Sequence, residues 1–423
     1  MSPLVEPRAT RRLLLAVCAV TLLCTVGMAM PYPILAPIFV DGPADGFTRF
    51  AGLPPEWLLG MALAANPAGI LLGSLVIGPL SDRLGRRRIL VATLLICAAG
   101  NLVTAGALDA RWYLLFVFAR FATGLAEGNI AVARALLADH HDEASRVNAF
   151  AWLNACQYGG WLLGPLAGGL MLRWGEPVPF ALAALAMLPC AALVMVAVPA
   201  GQRDAATTAP PAAAGSALGA STLAPLIHDA SLRRLFLLQL AYMCGVTALY
   251  EYAPLWCVTV AGFGPTGIAW ITAGQCGGML LGTALAGRLP TIGHPLRGTA
   301  LAAATGAIGL ALLVVLPPAP GLVAIVALGV PLAVYSALLP AWVSSRFAHH
   351  GQGRVMGLLT TIFCISNVVI ALAGGALSLW TVRGVMGLGA LCAGVAAWAF
   401  WRWARREAAS AAVAPPPVHV EAV

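Results

Sequence analysis

The sequence predicts an all-α integral membrane protein, with twelve membrane-spanning helices arranged as two pseudo-symmetric six-helix bundles. Three observations predict this class: an apolar composition, long uncharged stretches, and repetition between the two halves of the chain. Of the 423 residues, 60% are hydrophobic and only 9% are charged. So few charges cannot cover the surface of a soluble protein of this length. We therefore expect most of the chain to lie in a lipid bilayer.

Apolar runs recur from one end of the chain to the other. Each is long enough to cross a hydrocarbon core of roughly 30 Å as a helix. Backbone amides inside a bilayer must be satisfied within the segment, so continuous runs of this length predict helices and not strands. The predicted spans, numbered 1 to 12, are 13–40, 57–80, 89–108, 113–133, 148–171, 178–199, 235–258, 266–287, 299–317, 321–344, 355–378 and 384–401.

A segment of different composition divides the spans into two sets of six. Residues 200–222 are rich in Ala, Pro, Gly, Ser and Thr, and such a segment cannot bury enough apolar surface to fold alone. We expect it to belong to a flexible cytoplasmic linker. The predicted parts are a cytoplasmic N-terminus over 1–12, bundles over 13–199 and 235–404, the linker over 200–234, and a cytoplasmic tail over 405–423.

The two halves contain similar segments in the same order. Residues 24–37 resemble 244–257, residues 73–85 resemble 282–293, and residues 140–150 resemble 349–358. The first of these matches pairs Tyr32 with Tyr252. Repetition of this kind is typical of membrane proteins built from two related bundles.

The charges predict how the chain is oriented. All 24 basic residues are arginines, and most fall in one set of loops. Only Arg49, Arg111, Arg173 and Arg383 fall in the opposite set. The arginine-rich side is expected to be cytoplasmic, which places both termini in the cytoplasm of a multi-pass protein of the cell (inner) membrane. The net charge of +8 is thus explained by membrane orientation, and we expect no nucleic-acid partner.

The composition argues against enzyme chemistry. The ten cysteines lie in or at the ends of predicted spans without a CxxC pair, so neither zinc nor disulfides are expected. A chain without lysine has no lysine nucleophile. The pairs His140–His141 and His349–His350 are expected to lie at the membrane interface without binding a metal. No nucleophile–base pattern occurs in the spans. We expect no enzyme activity, no cofactor and no metal.

The segment GPLSDRLGRRRIL, residues 78–90, crowds five charges between spans 2 and 3. It resembles the signature G-x-L-a-D-r-x-G-r-k-x-x-l of the major facilitator superfamily. The matching residues are Gly78, Leu80, Asp82, Arg83, Gly85, Arg86, Arg87 and Leu90. Together with the twelve spans, the resemblance covers nearly the whole chain. It implies two bundles that rock about a central cavity and open alternately to each side.

This segment has a structural role by its chemistry and a gating role by the resemblance. Gly78 and Gly85 permit a tight turn in a loop of about seven residues. The resemblance implies that Asp82 faces the start of span 11, near Arg354, as a cytoplasmic latch. The alternative is that the arginines only anchor the loop at the anionic inner surface.

Span 5 carries a second pattern, which resembles the fifth-helix signature of the twelve-helix drug:proton antiporter branch. It consists of Gly160, Gly164, Pro165, Gly168 and Gly169. Glycines four residues apart let another helix approach closely, and proline can bend a helix. These residues are expected in the outer half of the span, as an extracellular gate. The alternative is ordinary helix packing.

Two acidic residues, Glu127 and Glu251, fall well within spans. A charge near the bilayer centre costs at least ~2.5 to 3.5 kcal/mol, so it usually marks a pathway or a partner. Arg120, Glu127 and Arg134 are spaced by seven and share one stripe of span 4. We expect Glu127 to carry the proton and Arg120 to tune it or to hold an anionic substrate. Glu251 is expected to be a cation site or a gate residue. The alternative for Glu127 and Arg120 is that they only neutralise partners on neighbouring helices. The alternative for Glu251 is exposure to water near the outer end of its span.

Polar and aromatic residues at mid-span are the candidates for the cavity lining. Aromatic faces with a few amides suit small amphiphilic organic compounds. The candidates are Tyr32, Asn154, Gln157, Trp161, Gln239, Tyr250, Tyr252, Gln275, Tyr335 and Asn367.

The function predicted from these features is secondary active transport, as proton-coupled efflux of small amphiphilic compounds by a monomer. Its partners are the substrate, protons and the bilayer. One alternative is an importer or facilitator of a small metabolite, because span 1 lacks the membrane acid found in some multidrug exporters. A membrane-embedded sensor is the alternative from another class.

Overall fold

The computed structural model describes residues 7–127, 132–133, 136–137, 143–198, 229–286, 295–347 and 352–413. All regular secondary structure in these ranges is helical, which confirms the predicted fold class. In the first half the helices are α1 (Pro7–Ala29), α2 (Tyr32–Val40), α3 (Pro55–Leu84), α4 (Arg86–Asp109), α5 (Tyr113–Glu127), α6 (Glu143–Met171) and α7 (Val178–Ala197). In the second half they are α8 (Ala230–Thr259), α9 (Pro265–Ala286), α10 (Pro295–Val315), α11 (Pro318–Ala327), α12 (Gly329–Arg346), α13 (Gln352–Ser378) and α14 (Val382–Val413).

Ten stretches within the described ranges have the length and hydropathy of a membrane span. The predicted spans that do not reach these criteria are 4 and 5. The described part of span 4 is the 15-residue helix α5. Span 5 is α6, whose apolar run is diluted by glycines and by residues such as Asn154, Gln157 and Trp161. The protein is therefore a multi-pass membrane protein.

Two predicted spans are broken helices. Span 1 divides into α1 and α2, and span 10 divides into α11 and α12. Pro31 lies at the first break, and Pro331 lies in the first turn of α12, three residues after the second break at Leu328. Proline has no backbone N–H to donate to the preceding turn, which weakens the continuation of a helix. The hydropathy pattern cannot reveal these breaks, because both sides of each break are apolar.

Several helices extend beyond their predicted bounds. Helix α8 begins at Ala230 rather than at 235, because the Asp229 side chain accepts hydrogen bonds from the amides of Ser231 (2.7 Å) and Leu232 (3.2 Å). Helix α14 continues to Val413, so the predicted tail begins inside a helix. Its last turns are rich in alanine and arginine, which are strong helix formers.

The two halves use equivalent helix pairs. In the first half, α1 packs on α6, α3 on α5 and α4 on α7; in the second half, the corresponding pairs are α8 with α13, α9 with α12 and α10 with α14. The halves meet through α3 against α13, α6 against α9, and α2 against α8. The pseudo-symmetry predicted from the weak sequence repeats is present in the helix packing.

Contacts between helix ends define the two faces of the protein. Arg111 pairs with Asp45 (3.1 Å) and Glu176 (3.0 Å), so these loops share one face, here called the arginine-poor face. At the other end, here called the arginine-rich face, Arg87 contacts the end of α7, and Arg346 of α12 pairs with Glu407 of α14 (3.5 Å). Both the start of α1 and the end of α14 lie at the arginine-rich face.

Candidate functional site

A cavity of about 450 Å³ lies between α6 of the first half and α8, α9 and α12 of the second. Most of its lining is apolar or aromatic, including Leu162, Pro254 and Ile271. Few polar side chains reach it, among them Thr272 and Gln275. A cavity of this size and character accommodates one small organic molecule.

Trp161 is the centre of an aromatic cluster at one wall of this cavity. Its ring lies 5.6 Å from the ring of Tyr32, 6.2 Å from that of Tyr250 and 5.7 Å from that of Phe363. The Tyr32 hydroxyl donates a hydrogen bond to Asn367 Oδ1 at 3.3 Å. Trp161 and Tyr32 belong to the first half and their other partners to the second, so the cluster joins the two halves beside the cavity.

Four of the predicted cavity residues line this cavity: Tyr32, Trp161, Tyr250 and Gln275. The Gln275 side chain is 4% exposed, and its Nε2 has no hydrogen-bond partner among the described residues. An amide that is desolvated and unsatisfied at a cavity wall is suited to bind an acceptor on a ligand. The Tyr250 hydroxyl contacts the Met279 sulfur at 3.4 Å.

Three predicted cavity residues are instead part of the packing, which corrects the prediction. The Tyr335 hydroxyl donates to Gln239 Oε1, and the Tyr335 ring stacks on Tyr242. Tyr252 donates its hydroxyl hydrogen to the Ala371 carbonyl at 2.6 Å. None of Gln239, Tyr252 and Tyr335 lines the cavity. Their polar atoms satisfy neighbouring helices in the interior.

The remaining candidates occupy other positions. Asn367 contacts Tyr32 rather than the cavity itself. Gln157 is half-buried and is not part of the cavity lining. The Asn154 side chain lies outside the described part of the structure.

A buried polar site lies where α3 crosses α5. Glu127 and Arg120 are each 5% exposed. Asn66 of α3 donates through Nδ2 to Glu127 Oε2 at 2.8 Å, and the same nitrogen lies 3.4 Å from the Arg120 carbonyl oxygen. Asn66 is not among the site residues predicted from the sequence, although an amide in an otherwise apolar span is a usable signal.

Glycines bring α3 and α5 close enough for this contact. A Cβ added at Gly69 would lie 2.2 Å from the Phe121 carbonyl oxygen, and one added at Gly124 would lie 2.2 Å from the Asn66 carbonyl oxygen. Only glycine permits such an approach of two helix backbones. The pattern of small residues thus positions the amide against the carboxylate.

Arg120 makes no direct ion pair with Glu127. Its Nε and Nη1 have no hydrogen-bond partner among the described residues, and its guanidinium lies 6.0 Å from the Phe180 ring. The two groups remain within electrostatic range of each other. This agrees with the spacing of two helical turns between them. Arg134, the third member of the predicted stripe, lies outside the described residues.

Glu251 of α8 is 1% exposed, and neither carboxylate oxygen has a hydrogen-bond partner among the described residues. The alternative that Glu251 is exposed to water near the outer end is therefore wrong. Tyr32 lies within electrostatic range of Arg120, Glu127 and Glu251. Buried ionisable groups of both halves thus act electrostatically on one tyrosine of the cavity wall.

The segment 78–90 is helical rather than a loop of seven residues. Gly85 alone separates α3 from α4, and its φ of 92° is a conformation that favours glycine. Arg87 Nη2 donates to the Met195 carbonyl at 2.6 Å, which ties this turn to the end of α7. Within the same motif, Arg83 is exposed, Arg86 is half-buried, and the Ser81 hydroxyl bonds the Gly78 carbonyl. The side chains of Asp82 and Arg354 lie outside the described part, so the latch between them stays a prediction.

The glycines of α6 separate into two groups by the helices that they contact. Gly160, Gly164 and Gly168 pack on α1 and the following turn: added Cβ atoms would lie 2.5 Å from Thr25 Cβ, 2.7 Å from Ala29 Cβ and 2.2 Å from the Met30 carbonyl oxygen. These contacts stay within the first half.

The other two residues of the pattern face the second half. A Cβ at Gly169 would lie 2.4 Å from Ala269 Cβ of α9. Pro165 lines the cavity. Gly60 of α3 makes a similar contact with α13, since its Cβ would lie 2.5 Å from the Ala371 carbonyl oxygen. Gly60 and Gly169 therefore hold the halves together near the arginine-poor face.

Two equivalent helical halves around an apolar cavity, with ionisable groups buried beside it, are an arrangement typical of membrane transporters. A helical protein of this class carries its ligand site at the junction of the halves. The model of the Major Facilitator Superfamily matches residues 13–371, and the chain belongs to that family. Members of this family are transporters rather than enzymes.

Curated relatives match parts of the chain. The class G tetracycline resistance protein of Vibrio anguillarum is 34% identical over 110 residues, covering 26% of this chain and 27% of the relative. The multidrug resistance protein MdtL of Shewanella oneidensis is 29% identical over 178 residues, covering 41% and 44%. The 4-hydroxybenzoate transporter PcaK of Acinetobacter baylyi is 30% identical over 148 residues, covering 33% and 31%. Each match spans less than half of the relative's own length.

A solved structure matches almost the entire fold. The human organic anion transporter MFSD10 aligns with a TM-score of 0.65 and 18% identity, over 94% of this chain and 100% of that one. At this identity the likeness shows the fold alone.

Proposed function

We propose that this transporter exports small amphiphilic organic compounds in exchange for protons, by alternating access. The observation that carries the proposal is the buried carboxylate of Glu127, held by Asn66 and placed two helical turns from Arg120. A desolvated carboxylate beside a cavity is suited to take up and release a proton. The similarity to tetracycline and multidrug resistance proteins supports export.

Protonation of Glu127 is coupled through helix α3 to the junction of the two halves. When Glu127 is ionised, Asn66 donates to a negative oxygen and Arg120 is attracted across the gap. Protonation weakens both interactions, because charge-assisted hydrogen bonds are roughly twice as strong as neutral ones. Helix α3 carries Asn66 and also, six residues earlier, Gly60 at the contact with α13. A change in the hydrogen bond between Asn66 and Glu127 therefore acts on the helix that contacts the second half.

The cavity supports a substrate with an apolar body and at least one hydrogen-bond acceptor. The rings of Tyr32, Trp161 and Tyr250 offer flat apolar faces, and the Gln275 amide offers an unsatisfied donor. Arg120 remains a candidate to hold a negative group on a substrate or to tune Glu127. Glu251 remains a candidate cation site or gate residue.

In this proposal the arginine-rich face is cytoplasmic and the protein works as a monomer in the inner membrane. The contacts of Gly60 and Gly169 then close the outer side, and the Asp82 latch closes the inner side in the opposite state. Uptake of a small metabolite is the second candidate. The similarity to the 4-hydroxybenzoate transporter and the lack of an acid in span 1 favour it.

Transport by the purified protein in proteoliposomes tests these proposals. Ethidium, tetracycline and 4-hydroxybenzoate are to be offered under an imposed pH gradient, with protein orientation determined by protease accessibility. The expected result is movement of at least one amphiphilic compound from the arginine-rich side against its gradient, coupled to opposite proton flow. Movement in the same direction as protons would support uptake instead, and gradient-independent movement would contradict proton coupling.

A further inference from the structure

The part of the central cavity wall that the structure describes carries no formal charge. Its residues are apolar, aromatic or neutral polar. Arg120, Glu127 and Glu251, the ionisable residues buried beside the cavity, are absent from this described lining. A compound in the cavity therefore contacts none of these three charges directly.

The position of Glu251 on α8 explains why its carboxylate does not line the cavity. Thr247, one turn earlier on the same helix face, has its Oγ1 3.3 Å from Ser366 Oγ of α13. Tyr252, the next residue after Glu251, donates to the Ala371 carbonyl of α13. Glu251 therefore lies on the side of α8 that packs against α13.

The two charges of α5 face other helices of the first half. The Arg120 guanidinium lies 6.0 Å from the Phe180 ring of α7. Glu127 accepts its hydrogen bond from Asn66 of α3. Both side chains are thus directed at neighbouring helices rather than at the cavity.

Most polar groups of the lining already bond the protein. The hydroxyls of Thr272 and Thr283 each donate to a carbonyl of their own helix at 2.9 Å, and the Tyr32 hydroxyl donates to Asn367. Gln275 differs, because its side chain is buried and its Nε2 has no partner among the described residues. The last torsion of an amide side chain is broad, so this nitrogen can turn toward the cavity. An acceptor on a bound compound would satisfy it.

Close packing fixes the backbone that carries Gln275. A Cβ added at Gly329, at the start of α12, would lie 2.0 Å from the Gln275 carbonyl oxygen. One added at Gly282 of α9 would lie 2.5 Å from the Val330 carbonyl oxygen. Helix α9 is thus held against α12 before any ligand binds. A donor on a fixed backbone loses little freedom on binding, which favours selection by its hydrogen bond.

An ion in this cavity would lose its water without contacting a counter-charge on the described wall. Burial of an unpaired charge is far more costly than burial of a neutral polar group that finds a hydrogen bond. The rings of Tyr32, Trp161 and Tyr250 attract a cation, but cation–π attraction recovers only a small part of that cost. The negative faces of the same rings disfavour an anion.

We propose that the cavity selects uncharged aromatic compounds that carry a hydrogen-bond acceptor, and that Gln275 is the residue that recognises this acceptor. The inference rests on the proposed function for the role of the cavity as the substrate site, and it adds the charge and the polar group of the substrate. Arg120 and Glu251 do not contact the substrate in this arrangement.

The test measures binding to the purified full chain in detergent, without any ion gradient. Equilibrium dialysis, with detergent alone as the blank, compares 2-acetylnaphthalene, 2-isopropenylnaphthalene, 2-naphthoate and trimethyl(2-naphthyl)ammonium. The ketone should bind most tightly. The alkene has the same shape but no acceptor and should bind roughly tenfold more weakly, and the two ions at least about a hundredfold more weakly. Binding of either ion as tightly as the ketone would overturn the proposal, and so would a lack of ketone binding.

Variants of Gln275 test its role in recognition. In Gln275→Leu the ketone should bind only as tightly as the alkene, whose affinity should not change. The matched control is Gln157→Leu, which removes an amide outside the cavity lining and should keep the wild-type order. A ketone–alkene difference that persists in Gln275→Leu would exclude Gln275 as the recognition residue. If that variant does not fold, Gln275→Glu supplies a counter-charge and should tighten ammonium binding about tenfold; unchanged ammonium binding would contradict the assignment.

These outcomes are separable from proton coupling. Selective ketone binding without proton-driven flux would refute the proposed exchange and leave the selectivity intact. Proton-driven export restricted to charged compounds would support the exchange and overturn the selectivity.

Discussion

The buried carboxylates of the two halves differ in their surroundings. Glu127 of the first half accepts a hydrogen bond from Asn66 and lies within electrostatic range of Arg120. Glu251 of the second half is buried still more completely, and its two oxygens have no partner among the described residues. Both lie within electrostatic range of Tyr32 at the cavity wall.

This difference indicates different roles. A partner whose bond strengthens when the carboxylate is charged makes both protonation states accessible, which is what a proton carrier requires. An isolated carboxylate in the same surroundings bears the desolvation penalty alone. We therefore expect the first half to provide the proton site and the second half to provide most of the substrate cavity.

The largest expected effect distinguishes the two carboxylates directly. Glu127→Gln keeps the shape of the side chain but cannot exchange a proton, so transport driven by a pH gradient should fall to the level of empty vesicles. Glu251→Gln should retain gradient-driven transport. Flux in proteoliposomes, normalised to folded protein, measures both. The reverse pattern would transfer the coupling role to Glu251.

The Asn66 partner gives the next largest effect. Asn66→Ala leaves Glu127 buried without its donor, which should destabilise the protein by about 1.5 to 3 kcal/mol when the carboxylate is ionised. Chemical denaturation and the pH profile of transport measure this change. Asn101→Ala is the matched control, because Asn101 is also buried but, among the residues that the structure describes, donates only to the Cys97 carbonyl of its own helix. An unaltered pH profile in Asn66→Ala would exclude Asn66 from tuning Glu127.

A substitution at the α3–α13 contact tests whether this contact transmits the change at Glu127 to the second half. Gly60→Ala places a methyl 2.5 Å from the Ala371 carbonyl oxygen. It should slow transport, while overpacking destabilises the protein by about 1 to 3 kcal/mol. In Gly106→Ala, the control, the added methyl meets nothing within 4 Å. Equal transport rates in the two variants would show that this contact does not limit the conformational change.

Asp45 is a carboxylate outside the membrane-spanning helices, and its substitution should have the smallest effect on stability. Partial burial opposes its ionisation, but hydrogen bonds from the Thr48 and Phe47 amides and the charge of Arg111 outweigh it, and the pKa of Asp45 lies below its ordinary value of 3.8. Its contribution is therefore complete above pH 3.8 and is lost as the pH falls through the lower, folded-state value. Asp45→Asn should cost about 0.5 kcal/mol at pH 7. Denaturation at pH 7 and at successively lower pH values checks that the difference between the proteins decreases in acid.

Hydropathy predicted the helices well because each apolar helix must be long enough to cross the same hydrocarbon core. It did not predict the breaks at Pro31 and Leu328, since apolar residues surround both. Helix ends were also displaced: the capping carboxylate of Asp229 started α8 earlier than the apolar run did. Such local hydrogen bonds are invisible to an average over many residues.

The site was less predictable because its residues depend on which helix face meets which neighbour. Tyr32 and Tyr335 are both mid-span tyrosines, yet one lines the cavity and the other stacks on Tyr242. Asn66 gains its importance only from the crossing of α3 and α5. The glycines of α6 predict close helix packing whether they form a gate or an ordinary helix contact. Only the fold distinguishes those that face α1 from Gly169, which faces α9.

The exchange of a proton for a substrate at Glu127 is tested most directly by proton release on binding. The compound transported in the vesicle assay is added to the purified protein in weakly buffered solution, and the change in pH is recorded. The wild-type protein should release protons as the compound binds, and Glu127→Gln should bind it without release. Equal proton release by the two proteins would contradict the account.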